Sequence, residues 1–147
     1  MTQVFEQIAR LINELTRRVE SLESIEVGKW RYLTAPLTST SWDGDAKTDI
    51  GKTKIDLSSV FSAPAGIKAV LVYVSVNDND SAATDTYLIL SPNDTALQGM
   101  AFSPMTLNDR PGRYSAVIPC NVDGDIYYQV EASAGLDVFL EIWGYAI

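Results

Sequence analysis

Ile67-Lys68-Ala69-Val70-Leu71-Val72-Tyr73-Val74-Ser75-Val76 is the stretch on which the fold turns. Beyond Lys68 both faces of this run are apolar once it is extended, and Gly66 and Asn77-Asp78-Asn79-Asp80 bound it with turn-forming residues. That pattern predicts a strand at the centre of its sheet, covered on both sides. Seven further segments read as strands on the same grounds: 30–37, 52–57, 84–91, 97–103, 113–119, 125–132 and 136–146. In the last of these Leu136, Val138, Leu140 and Ile142 share one face, while Asp137, Phe139, Glu141, Trp143 and Tyr145 share the other. The first face suits the core, and the mixed face suits a subunit interface or a shallow binding surface. The strand pattern continues to Ile147, so the end of the chain is expected in the sheet.

Short strands joined by turns, with no second helical pattern among them, predict an antiparallel β-sandwich with jelly-roll topology over residues 29–147. An immunoglobulin-like sandwich fits less well, because a single Cys cannot supply a Cys…Trp…Cys framework.

Upstream of Trp30 the period changes. Phe5, Ile12 and Val19 at one heptad position place Ile8, Leu15 and Leu22 at the next apolar one, a 3-4 spacing held over about three heptads. Val4, Leu11, Arg18 and Ile25 widen the stripe beyond a two-stranded seam. Arg18-Val19-Glu20-Ser21-Leu22-Glu23 is similar to the Arg-h-x-x-h-Glu pattern of short parallel trimeric coiled coils, in which Arg18 reaches Glu23 of a neighbouring helix and covers the apolar layers with its methylenes. The expectation is a mainly β chain headed by an α-helical, parallel, trimeric coiled-coil stalk over residues 1–28 and ended by Gly28. Its trimerising residues are Phe5, Ile8, Leu11, Ile12, Leu15, Arg18, Val19, Leu22 and Glu23. The alternative is one amphipathic helix packed on its own domain, which a helix of about 24 residues, about 36 Å long, would overrun.

Charge marks the same boundary. Residues 1–31 carry five acids (Glu6, Glu14, Glu20, Glu23, Glu26) and five bases (Arg10, Arg17, Arg18, Lys29, Arg31), so the net charge of −8 belongs to residues 32–147, where the acids are nearly all Asp. A charge of that sign argues against nucleic acid and against anionic membrane as partners. No apolar run approaches the roughly 20 residues of a membrane span and acids occur throughout the first 25 positions, so a soluble chain is expected, with neither membrane insertion nor a signal peptide. With no His and one Cys, the Ser-His-Asp and Cys-His relays, His-bearing zinc sites, an internal disulfide and a thiolate cage are all excluded.

Leu37-Thr38-Ser39-Thr40-Ser41-Trp42-Asp43-Gly44-Asp45-Ala46, Ile55-Asp56-Leu57-Ser58-Ser59-Val60-Phe61, Ala63-Pro64-Ala65-Gly66-Ile67-Lys68-Ala69-Val70 and Val138-Phe139-Leu140-Glu141-Ile142-Trp143-Gly144-Tyr145 are framework strands and turns covering most of the β half. The chain resembles the small fibre, knob and receptor-binding appendages of tailed bacteriophage virions. It lacks the collagen-like Gly repeats and the His-x-His metal motif of some such fibres. The resemblance implies a virion structural and adhesion protein assembled in the host cytoplasm, with other virion proteins and a host cell-surface carbohydrate as partners of the homotrimer. A cellular lectin-like or assembly module is the competing class, and such an adhesin would ordinarily be exported.

Three constellations carry possible chemistry. Asp43-Gly44-Asp45, Asp123-Gly124-Asp125 and Asn77-Asp78-Asn79-Asp80 with Asp85 gather the hard oxygens that Ca²⁺ prefers. An EF-hand read from Asp78 would need Glu where Ile89 stands, and Asn and Asp are ordinary hairpin residues, so no metal and no cofactor is expected. Trp30, Trp42, Trp143, Tyr127, Tyr128 and Tyr145 offer rings for stacking on a sugar, or for core and interface packing. Trp42, Asp43, Asp78, Asp80 and Asp85 are the candidate ligand-binding residues, with Trp42 foremost because it precedes an acidic turn. Cys120 reads as a small buried hydrophobe. No catalytic residue is expected: a glycosidase needs a carboxyl with a raised pKa, usually by burial, and these acids sit in turns.

Overall fold

Strand β4 (Ala69–Asp78) carries the quoted run and lies between β7 (Gly112–Pro119) and β9 (Leu136–Ala146), antiparallel to both. The computed structural model describes residues 7–8, 11–16, 29–78, 86–105, 110–132 and 134–147. Beyond β9, β1 (Trp30–Leu37) completes the order β1-β9-β4-β7, and β2 (Asp43–Lys47) also pairs with β9. A second sheet has the order β3-β8-β5-β6, formed by β3 (Ile50–Ile55), β5 (Tyr87–Ser91), β6 (Met100–Phe102) and β8 (Ile126–Glu131). Along the chain, β1 and β2 enter the first sheet, β3 the second, β4 the first, β5 and β6 the second, β7 the first, β8 the second and β9 the first. With β1 and β2 counted as one interrupted strand, this is jelly-roll connectivity, and the expected β-sandwich is present.

Period-2 alternation builds the core. Val70, Val72, Val74 and Val76 of β4 and Leu136, Val138, Leu140 and Ile142 of β9 are buried, facing Ile55, Leu88, Leu90, Phe102, Ile126 and Val130 of the second sheet. Helix α1 (Leu57–Phe61) closes the connection after β3. Its cap Asp56 accepts from the Ser58 and Ser59 amides at 3.1 and 3.0 Å, Ser62 ends it at φ 58°, and Leu57 and Phe61 enter the core. The Asp123-Gly124-Asp125 turn packs beside it: the Asp125 carboxylate accepts from the Leu57 amide at 3.2 Å and from Lys54 Nζ at 3.1 Å.

Three expectations are corrected. The coiled-coil stalk is the first. Among the described residues helical backbone occurs at 7–8 and 11–16, in α1 and in a 3-10 turn at Thr40–Trp42; none is a long helix, and the parallel trimeric coiled coil over 1–28 is overturned. A helix of that length draws most of its stability from burying an apolar face. Within the chain Ile8, Leu11, Ile12 and Leu15 are 48–60% exposed, and the core cluster closes without them, drawn from residues between Trp42 and Ile142, so the sandwich supplies no face to hold such a helix. Phe5, Arg18, Val19, Leu22 and Glu23 lie outside the described residues.

The second correction concerns β4, which is central but, among the described residues, covered on one side only. Leu71, Tyr73 and Ser75 on its other face are half-buried, because no layer of the described residues overlies them. The third is β2, expected as an acidic turn. A bulge between Asp43 and Asp45 lets Gly44, at φ 81°, absorb the turn geometry while the flanking residues pair with β9.

Candidate functional site

The uncovered face of the five-stranded sheet owes its shape to an irregularity in β9. Val72 lies opposite Ile142 but Leu71 lies opposite Gly144, so Trp143 is one residue too many for its partner strand, which makes a β-bulge. Before the bulge Asp137, Phe139, Glu141 and Trp143 point away from the core, as expected. After it the alternation reverses: Tyr145, opposite inward-facing Val70, packs against the core and leaves the outer face, which corrects its expected place. Gly144 arrives on the outer face between Leu71 and Tyr32. A Cβ there would stand 3.0 Å from the Arg31 carbonyl oxygen, so glycine allows β1 to approach and leaves the floor beside Trp143 bare.

The result is a shallow groove of about 570 Å³, lined by Leu71, Val72, Tyr73, Ser115, Phe139, Glu141 and Trp143. Tyr73 meets Phe139 edge to face, with ring centres 6.4 Å apart and planes at 78°. Trp143 Nε1 donates to Glu141 Oε2 at 2.8 Å. That bond fixes the indole against the sheet and leaves the other carboxylate oxygen of Glu141 to accept from elsewhere. Cross-strand rows extend the face: Val117, Leu71, Gly144 and Tyr32 form one, and Ser115, Tyr73 and Glu141 the next. Among the described residues of the lining, Glu141 alone is charged. Chemically the groove offers ring faces for C–H groups, hydroxyls at Tyr73 and Ser115, and one carboxylate, which is the makeup of a site for a polyhydroxylated or apolar ligand.

The candidate residues read from the sequence scatter. Trp42 is 4% exposed: its ring meets Tyr128 edge-on at 4.8 Å and carries Lys47 Nζ 4.7 Å above it. It is core packing with a cation above it and presents no open ring for a sugar, which corrects its expected role. Asp43 is exposed and lies opposite Phe139, at the border of the groove. Asp78 is 9% exposed and stands five positions along β4 from Tyr73, about 16 Å away at strand rise. Asp80 and Asp85 lie outside the described residues. Among the described residues no three His, Cys, Asp or Glu side chains are grouped to hold a metal ion. Asn121 Oδ1 accepts from the Asp123 and Asp125 amides at 3.0 and 2.8 Å, and the Asp125 carboxylate is taken up by Leu57 and Lys54, so the second acidic turn is a structural joint. Burial, assisted by the Asp125 charge, pushes the Cys120 thiol up to about 12, which keeps it protonated and unreactive at neutral pH.

Leu71 and Tyr73 are the site residues that sequence reasoning assigned to a covered face. A signal was available: glycine directly after an aromatic residue, deep inside an alternating strand, marks a bulge or a close approach. Compared with known protein families and with curated proteins, the chain matches none of the family models and none of the curated proteins.

Proposed function

We propose that this protein is a structural and adhesion component of a bacteriophage virion, a fibre or knob module whose jelly roll presents the outer groove to a host-surface carbohydrate. The observation that carries the reading is the groove itself, where Tyr73, Phe139 and Trp143 converge with the Glu141 carboxylate on a face that no described residue covers. Jelly rolls recur in viral capsid and lectin domains, and the architecture is compatible with the role. Aromatic faces pack on sugar C–H groups, and the carboxylate with its neighbouring hydroxyls takes sugar hydroxyl protons. The test is binding of the purified chain to isolated bacterial cell-surface polysaccharides, followed by tryptophan fluorescence. Binding is expected, and Trp143→Ala should weaken it roughly tenfold, the equivalent of about 1.4 kcal/mol, with the fold intact by circular dichroism. Absence of binding across a broad polysaccharide panel, or equal binding by the variant, overturns this reading.

A further inference from the structure

The apolar surface does not stop at the rim of the groove. Tyr32 is 74% and Val117 44% exposed at opposite ends of the row that crosses it, and neither lines the groove. A small ligand seated beside Trp143 would leave both in water, whereas a protein surface would cover them.

Charge placement narrows the occupant. A chain of net charge −8 repels its own copies unless they meet through a charge-poor face, and the row Val117, Leu71, Gly144, Tyr32 carries no charge at all. The row that runs Arg113, Ser75, Phe139, Asp43 is neutral in the middle and opposite in sign at its two ends. Turned about an axis along the strands, a second copy sets its Arg113 against Asp43 of the first and its Val117 against Tyr32. The face therefore complements itself, the condition for an isologous contact. We propose that a second copy of this chain packs on the outer face of the five-stranded sheet and forms the missing wall of the groove. This rests on the groove being a ligand site, and it makes that site one shared between chains.

The experiment is light scattering and sedimentation of the full chain at micromolar concentration. The wild type is expected at twice 16.1 kDa, and Val117→Glu, which places an acid in the uncharged row, is expected at the mass of one chain with its circular dichroism unchanged. Arg113→Asp should also dissociate the assembly, and Arg113→Asp with Asp43→Arg should restore it; this pair keeps the test available if Val117→Glu fails to fold. A wild type that stays at single-chain mass, or an assembly untouched by both Val117→Glu and Arg113→Asp, overturns the proposal. An assembly dissolved by these variants that binds no polysaccharide upholds the interface and removes the carbohydrate reading. A single chain that binds polysaccharide through Trp143 does the reverse.

Discussion

Asp125 belongs to an acidic turn that could equally be a solvated loop or a cation site, yet it is 6% exposed and joins two elements. One oxygen holds the Leu57 amide at the start of α1 and the other holds Lys54 on β3, raising the lysine's pKa through that hydrogen bond and the carboxylate's charge. Asp125→Ala leaves the amide of fully buried Leu57 without its acceptor, and should cost about 1–3 kcal/mol of stability by urea denaturation. Asp125→Asn keeps an acceptor there and should cost less; equal losses would show that the charge matters more than the amide. The spacing Asp-Gly-Asp was legible as a turn, since that is a local property. Which of its two acids is buried depends on α1, more than sixty residues earlier in the chain.

At the scale of elements, α1 is a five-residue helix held by its cap and by burial of Leu57 and Phe61 rather than by length. Hydrogen bonds from the Ser58 hydroxyl and from the Ser59 and Ser58 amides hold the Asp56 carboxyl below its ordinary value. A carboxyl whose pKa is lower in the folded than in the unfolded chain adds stability above the unfolded value and loses it as pH falls through the folded one. Asp56→Ala should therefore melt at a lower temperature than the wild type at pH 7, and the gap should narrow as pH drops below about 4; thermal melts of both proteins across that range check the sign. The strand set was readable because alternation and turn residues are local, and β1, β7 and β9 fall where the pattern placed them. β2 was not, because Asp43-Gly44-Asp45 pairs with β9 only through a bulge that local propensity opposes.

The whole molecule divides between a sandwich that closes on itself and apolar surface that it leaves outside. All members of the core cluster lie between Trp42 and Ile142, while Ile8, Leu11, Ile12 and Leu15 are exposed. Removing residues 1–28 should accordingly leave a β-rich far-ultraviolet spectrum and a cooperative melt within a few degrees of the full chain; a truncated chain that fails to fold would show that the N-terminal segment supports the sandwich. Legible in the residues alone were the mainly β character of the chain after Trp30, the positions of β1, β7 and β9, the inward face of β9 up to Ile142 and the lack of His- and disulfide-based chemistry. These come from residue type and nearest spacing. It took the packing of distant strands to decide that described residues cover β4 on one side, that Trp42 is buried beneath Lys47, that Tyr145 turns inward past the bulge, and that Tyr73, Phe139 and Trp143 share an open groove. The same local pattern of apolar residues fits a covered face and an exposed one, and the difference lies in whether strands distant in sequence place another layer above it.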